Sequence, residues 1–319
     1  MTTMTERLEE YIAVRRSLGY DLSFTARVLR GFTAFADHEG ADHLTVALFL
    51  RWKENFGKAS NNTWSKRLGM VRMFAGWLQG LDARTEVPPA GLIAGKLRRG
   101  RPYIYTETEV ARIVARAAKL PSRYGMRGWS CSTLFGLIAV TGLRINEAIA
   151  LDDDDVDLDG GVITVRRGKN GTARYVPLAP STVLRLRAYR AERTRLLGST
   201  PGPFFRMESG ERPTDCCARY NFALVSQALG LRAPQRFCRH GRGPRIHDLR
   251  HTFAVRTIIG WYRKGLDPDR EMIKLSTYLG HVKPEFTYWY IEAVPELLQL
   301  ASRRAERTLA TGTSAGDGR

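Results

Sequence analysis

Apolar residues recur at helical spacing through the first 82 residues and predict four short helices separated near Gly19, Gly40 and Gly80. The four apolar sets are Leu8, Tyr11 and Ile12, then Val28, Leu29, Phe32 and Phe35, then Val46, Phe49 and Leu50, then Trp64, Leu68, Val71, Phe74 and Leu78. Such a pattern is typical of a compact all-α domain.

The segment from 88 to 103 has the traits of a linker, because it is proline-flanked, contains glycine and carries a run of basic residues. A chain of 319 residues also exceeds the usual size of one hydrophobic core. We therefore predict a helical domain over 1–87, a basic linker over 88–103, a second domain over 104–310 and a disordered tail over 311–319.

The second domain begins with a helix signal and contains one clear β signal. Thr106 and Glu109 form a capping box, and an apolar helix over 131–140 ends at Thr141-Gly142 before a new helix at Arg144. Two apolar runs flank Gly168-Lys169-Asn170-Gly171, which predicts a β-hairpin. Further helices are predicted near 180–196, 214–229, 247–262, 269–279 and 294–309. The predicted fold class is mainly α with a small β region.

The net charge of the chain indicates which kind of partner it binds. The chain has 50 Lys and Arg against 32 Asp and Glu, a net charge of +18, which indicates a polyanionic partner. No stretch approaches the roughly 18 consecutive apolar residues of a membrane span. The N-terminus turns acidic and amphipathic, unlike a signal peptide, and four cysteines are too few for a disulfide framework. We expect a cytoplasmic protein that binds nucleic acid.

Basic side chains of the N-terminal helices are candidates for contact with a phosphate backbone, although ordinary solvated helix faces would look the same. They are Arg15, Arg16, Arg27, Arg51, Lys66, Arg67 and Arg72.

Four motifs in the second domain resemble the signature boxes of the tyrosine recombinase (phage integrase) family, in that family's order. They are Thr141-Gly142-Leu143-Arg144-Ile145-Asn146-Glu147-Ala148, His247-Asp248-Leu249-Arg250-His251-Thr252, Leu279-Gly280-His281 and Tyr290. The separation of nine from His281 to Tyr290 is the usual one in the family. The resemblance implies an N-terminal DNA-clamp domain and a catalytic domain that cuts and rejoins DNA without metal, ATP or another cofactor.

The chemistry explains the residue types. The transition state of phosphoryl transfer concentrates negative charge on the phosphate oxygens, which fixed guanidinium forks can hold. By resemblance these are Arg144 and Arg250. His247 resembles the histidine that helps to bind the phosphate or to manage the proton of the nucleophile, His281 resembles a donor to a phosphate oxygen, and Glu147 is expected to orient basic side chains. Lys169 matches the hairpin lysine that protonates the leaving 5′-hydroxyl. Each has a purely structural alternative: a surface arginine, a packed histidine, a solvated lysine or a helix cap.

Tyr290 matches the nucleophile, which would form a 3′-phosphotyrosine, and Tyr288 is its rival two residues earlier. Arg174, on the returning strand, is expected to contact a backbone phosphate. The remaining histidines, His251 among them, are expected to be structural. Cys216, Cys217, Cys238 and His240 lack the spacing of a zinc site, so we expect no metal there.

The resemblance also implies double-stranded DNA as partner, a homotetramer on two recombination sites, accessory recombinases and a place on the nucleoid. The segment around Tyr290 resembles relatives carried by transposable elements, which suggests integration, excision or transposition. One departure is the spacing of 31 positions from Arg250 to His281, longer than is common in the family. Two other functions stay open: a type IB topoisomerase-like nicking and closing enzyme, and a non-catalytic DNA-binding regulator.

Overall fold

The structure is a computed structural model that describes residues 2–95, 101–166, 173–233, 243–281, 283 and 285–313. The chain divides into two compact units, Met1–Gly100 and Arg101–Arg319. The division falls inside the segment predicted as a linker, although Ile93 of that segment is buried against the core of the first unit. The domain bounds remain a prediction.

The first unit contains four helices. They are α1 (Met4–Ser17), α2 (Ser23–His38), α3 (Val46–Asn55) and α4 (Asn61–Gln79). Side-chain oxygens of Thr3, Thr45 and Ser60 accept hydrogen bonds from the first turns of α1, α3 and α4, which fixes where these helices begin. Trp52 lies at the centre of the core, with its ring centroid 5.2 Å from that of Phe32 and 5.1 Å from that of Trp64.

Some basic side chains of this unit make contacts within it. Arg51 pairs with Glu39 at 2.7 Å, and Arg72 donates to the carbonyl of Pro88. The guanidinium of Arg67 lies 4.6 Å from the ring centroid of Trp64. The side chains of Arg51, Arg67 and Arg72 therefore contribute to the packing of the helical unit itself.

The second unit contains nine α-helices, one 3-10 helix (Asp153–Asp155) and three strands among the residues that the structure describes. The helices are α5 (Glu107–Ala118), α6 (Met126–Thr141), α7 (Ile145–Ile149), α8 (Pro180–Leu197), α9 (Asp215–Ala228), α10 (Ile246–Arg263), α11 (Pro268–Leu279), α12 (Glu285–Ala293) and α13 (Pro295–Thr313). The strands are β1 (Val156–Asp157), β2 (Val162–Val165) and β3 (Arg174–Pro177). The predicted capping box of Thr106 and Glu109 starts α5, as expected.

The three strands form one antiparallel sheet in the order β1-β2-β3. Val162 pairs with Pro177 and Val165 with Arg174, so β2 and β3 form the predicted hairpin arms. The turn between them, which includes Lys169, lies outside the described residues. The mainly helical fold with a small sheet is therefore confirmed.

Helix α10 belongs to two hydrophobic clusters. Its first turn, with Ile246 and Leu249, packs into a cluster with α5, α6, the sheet, α8 and α9. Its later residues pack with α11, α12 and α13 in a second cluster that includes Ile258 and Tyr290. The side chains early in α10 therefore lie where the two clusters meet.

Three elements differ from the prediction. Strand β1 has two residues, too few for a pattern, and α12 was not predicted because its aromatic and β-branched residues favour strands. Helix α13 continues to Thr313, so residues 311–313 of the predicted disordered tail are helical, and residues 314–319 lie outside the described residues. Helix ends are the least certain feature of any sequence pattern. In the described part of the chain, every helix is too short or too polar to span a membrane.

Replacing Phe32 by Ala should destabilise the first unit by about 3–5 kcal/mol, because this fully buried ring fills the aromatic core. Phe24→Ala on the same helix is the matched control, since Phe24 is 61% exposed and should change stability by less than about 0.5 kcal/mol. Urea denaturation followed by tryptophan fluorescence measures both. Equal stability of the two variants would contradict the predicted core.

Candidate active site

Two glycines with positive φ shape the loops that carry the motifs. Gly142 ends α6 at φ +65°, and a Cβ there would lie 2.5 Å from a ring carbon of Phe253. Gly280 ends α11 at φ +64°, and a Cβ there would lie 3.0 Å from a guanidinium nitrogen of Arg174. Both positions need glycine for conformation and for space. The Gly-Leu-Arg and Leu-Gly-His motifs thus have a physical basis.

Glu147 is the acidic centre of the site. Its Oε1 accepts from Arg144 at 2.7 Å and from Arg174 at 3.1 Å, and its Oε2 accepts from Arg174 at 2.7 Å. Arg250 lies 3.9 Å from Oε2. Burial alone would raise the pKa of Glu147, but the hydrogen bonds and charges of Arg174 and Arg144 lower it below the ordinary value. One buried carboxylate therefore faces three guanidinium groups.

The C-terminus of α11 supplies three further acceptors to the same arginines. The carbonyl of Tyr278 accepts from Arg174 at 2.7 Å, that of Leu279 from Arg250 at 2.6 Å, and that of Gly280 from Arg144 at 2.9 Å. Carbonyls at the end of a helix have no partner inside it and carry the negative end of its dipole. Three consecutive carbonyls thus hold three cations in place.

Arg250 is almost wholly buried, with 1% of its surface exposed. One Nη donates to the carbonyl of Gly142 at 2.7 Å and the other lies 3.1 Å from Nε2 of His281. Burial, followed by the charge of Arg144, lowers the pKa of Arg250 to about 10, which leaves it charged at neutral pH. The guanidinium of Arg250 is therefore held by groups at the end of α6, at the end of α11 and in the loop that follows α11.

The contact with Arg250 also defines the protonation of His281. A guanidinium can only donate, so Nε2 of His281 accepts, and the proton of a neutral ring lies on Nδ1. That nitrogen is 2.7 Å from the hydroxyl of Thr287 on α12. His281 therefore links the arginine cluster to the helix that carries Tyr290.

His247 lies at the start of α10, and its ring centroid is 4.6 Å from that of His251, four residues later on the same face. Burial, then the neighbouring His251 and Arg250, lower the pKa of His247 to about 3. His247 is therefore a neutral imidazole at neutral pH.

Tyr290 is 2% exposed, and its phenol oxygen lies 2.9 Å from Nδ1 of His251. The phenol also lies within electrostatic range of Arg250, whose pKa it raises. Tyr288, in contrast, is 37% exposed, and its hydroxyl is 3.4 Å from a carboxylate oxygen of Asp269. Of the two tyrosines, Tyr290 faces the cluster of cations.

The structure therefore brings six of the seven predicted site residues into one connected set, Arg144, Glu147, His247, Arg250, His281 and Tyr290. The seventh, Lys169, lies outside the described residues, as do Cys238 and His240.

Two side chains differ from the sequence interpretation. His251 was expected to be structural, yet it contacts the phenol of Tyr290; the signal that marks it is its position directly after Arg250, one helical turn beyond His247. Arg174 was expected to contact DNA, yet its guanidinium is bound to Glu147 and to the Tyr278 carbonyl, with only 10% of its side chain exposed. Sequence spacing cannot show which partner a long arginine reaches.

The chain matches the model of the phage integrase family over residues 104–296. It is 39% identical over 312 residues to y4rB of Sinorhizobium fredii, a candidate integrase/recombinase by name, covering 96% of this chain and 98% of that protein. The chain belongs to the phage integrase family, and it is a site-specific recombinase of the tyrosine type.

Solved structures show the same fold. The integrase of transposon Tn1549 with transposon right end DNA is 15% identical, with a TM-score of 0.66, covering 96% of this chain and 99% of that one. The lambda integrase tetramer bound to a Holliday junction is 17% identical, with a TM-score of 0.61, covering 89% and 79%.

Replacing Glu147 by Gln should destabilise the second unit by about 3 kcal/mol or more, because a buried group of cations loses its carboxylate. The variant should also lose less stability than the wild type as pH falls from 4.5. The native pKa of Glu147 lies below its unfolded value, so its contribution is present above 4.5 and lost as pH falls through the native pKa.

Urea denaturation at neutral and at acidic pH measures both effects. Glu192→Gln is the control, since Glu192 pairs with Arg195 on the surface of α8 and should have a small effect. A Glu147→Gln protein as stable as the control would contradict the central role of this carboxylate.

Proposed function

We propose that Tyr290 cleaves DNA by attacking a backbone phosphate held by Arg144 and Arg250, and that this leaves a 3′-phosphotyrosine and a free 5′-hydroxyl. The observation that carries the proposal is the buried phenol of Tyr290 next to Arg250, within a cluster of arginines already fixed by hydrogen bonds. Arg144, with 21% of its side chain exposed, is more open to a phosphate than Arg250.

The arginine cluster suits a phosphate because its geometry is established before the substrate arrives. A preorganised donor need not reorganise as charge develops on the phosphate oxygens, and it therefore lowers the barrier. Glu147 offsets only part of the charge of three arginines, so the site keeps an excess of positive charge. In this proposal Arg174 and Glu147 are positioning residues.

The bond changes balance without an external energy source. The Tyr290 oxygen forms a bond to phosphorus as the bond from phosphorus to the 5′-oxygen breaks, and the departing oxygen needs a proton. We assign that proton to Lys169, on the basis of its motif. Because the phosphotyrosine keeps the energy of a phosphodiester, a 5′-hydroxyl of the partner strand can reverse the reaction and complete the exchange.

We infer double-stranded DNA as the partner, with residues 1–87 as the clamp domain and residues 104–310 as the catalytic domain, both gripping the duplex. The net charge of +18 supports this, as does the likeness to DNA-bound recombinases. We further infer a homotetramer on two sites, accessory recombinases and a place on the nucleoid. We also infer that the protein integrates, excises or transposes a mobile element. The name of y4rB and the likeness to the Tn1549 integrase support this inference.

A suicide-substrate assay tests the nucleophile. A binding site is first selected from genomic DNA fragments, and nicked duplexes carrying it are mixed with wild type, Tyr290→Phe or Tyr288→Phe. We expect a covalent protein–DNA adduct with wild type and Tyr288→Phe and none with Tyr290→Phe, because only Tyr290 faces the arginines. Denaturing gels show the adduct.

Other results would redirect the proposal. An adduct lost only in Tyr288→Phe would move the nucleophile, and no adduct on bound DNA would favour a regulator. Relaxation of a supercoiled plasmid without recombinant products would favour a topoisomerase-like enzyme.

Arg250→Lys should slow single-turnover cleavage by about 10²–10³-fold, because a lysine keeps the charge and loses the fork that holds the phosphate and two carbonyls. Arg263→Lys on the same helix is the control, since Arg263 has 70% of its side chain exposed. Cleavage by Arg250→Lys at the control's rate would exclude the assigned role. Binding of intact duplex, measured in parallel, separates lost chemistry from lost affinity.

A further inference from the structure

One histidine near the proposed nucleophile has no role in the family motifs quoted above. His251 lies on α10, and its Nδ1 is 2.9 Å from the phenol oxygen of Tyr290 on α12. The rings are 5.4 Å apart between centroids, and the ring of Trp289 meets that of His251 at 5.7 Å. The contact is therefore held by the packing of α12 against α10.

The other two histidines of the site are engaged differently. His281 has Nε2 against Arg250 and Nδ1 against Thr287. His247 meets the edge of His251, and its pKa, lowered by burial to about 3, keeps it neutral. The described contact to the phenol oxygen of Tyr290 is made by His251.

We propose that His251 accepts the phenol proton of Tyr290 as Tyr290 attacks the DNA phosphate. This inference rests on the proposed function, since it requires Tyr290 to be the nucleophile. A phenol keeps its proton near neutral pH and is a weak nucleophile until that proton is removed. A base at hydrogen-bond distance meets the geometric requirement for such a transfer.

The step balances in both directions. In cleavage, the proton passes from the phenol oxygen to Nδ1 of neutral His251, the oxygen bonds to phosphorus, and the 5′-oxygen leaves with a proton from Lys169. In rejoining, the 5′-hydroxyl returns its proton to Lys169 as its oxygen attacks phosphorus. The bond from phosphorus to the Tyr290 oxygen breaks, and protonated His251 returns its proton to the departing phenol oxygen. The charged His251 formed between the two steps remains within hydrogen-bond distance of the phenol oxygen to which it returns the proton.

The test isolates the nucleophile from the leaving group. Duplexes with a 5′-bridging phosphorothiolate at the cleaved bond release a thiolate, which departs without an acid, so their cleavage reports on activation of Tyr290. Single-turnover rates are measured against pH for wild type, His251→Asn and His251→Ala. Asparagine can keep a hydrogen bond near the position of Nδ1 but cannot take up the proton.

We expect His251→Asn to cleave about 100-fold more slowly than wild type or worse, as is usual when a general base is lost. The wild-type rate should fall at acidic pH, because a protonated base cannot accept the phenol proton, and the variant should lack that limb. The titratable and charged groups described beside this pair, His247 against His251 and Arg250 within range of the phenol, are unchanged in this comparison. Added imidazole should partly restore cleavage by His251→Ala.

Controls separate this inference from the proposed function. His38→Asn, which changes a histidine with 85% of its side chain exposed on the first unit, should cleave as wild type does. Melting temperature and duplex binding check that the His251 variants fold. If Tyr290→Phe forms no adduct while His251→Asn keeps the wild-type rate and pH profile, the inference fails and the proposed nucleophile stands. If Tyr290→Phe still forms the adduct, both fail.

Discussion

The site depends on holding three like charges beside one another inside the protein. Two unit charges 4 Å apart interact by about 4 kcal/mol at the effective dielectric of a protein surface, so unassisted arginines would move apart. Glu147 supplies one full negative charge, and the C-terminus of α11 supplies three carbonyls and the negative end of its dipole. The arginines stay together because each of them donates to a carbonyl at the end of α11 and also contacts Glu147. Arg144 and Arg174 bind this carboxylate directly, and Arg250 lies 3.9 Å from it.

This constraint accounts for features that are far apart in the sequence. Gly280 allows α11 to end in a left-handed residue with no Cβ to meet Arg174, so the last carbonyls can face the arginines. Gly142 does the same at the end of α6, where its own carbonyl binds Arg250. The motif glycines thus build the acceptors, while the motif arginines use them. Arg174 belongs to this framework although it stands outside the four motifs.

Residue patterns predicted the parts of the molecule that depend on local chemistry. The capping box at Thr106, the hairpin arms β2 and β3 and the helices from α8 to α11 follow from caps, turn residues and apolar spacing. Helix α12 did not, because Tyr288, Trp289 and Tyr290 favour strands, and its helical state comes from packing on α10 and α11. The partner of Arg174 and the contact of His251 with Tyr290 also depend on tertiary structure, which no local pattern encodes.

The arginines proposed to bind the phosphate and the tyrosine proposed to attack it are held in place by different interactions. Arg144 and Arg250 are fixed by hydrogen bonds to a carboxylate and to backbone carbonyls, which define direction within a narrow range. Tyr290 is fixed by burial in the second hydrophobic cluster, and its hydroxyl makes a hydrogen-bond contact with His251. Packing restrains position while leaving that hydroxyl to be oriented by its partner. Because His251 and Arg250 are neighbours on α10, which joins the two clusters, this helix sets the phenol of Tyr290 and the guanidinium of Arg250 relative to each other.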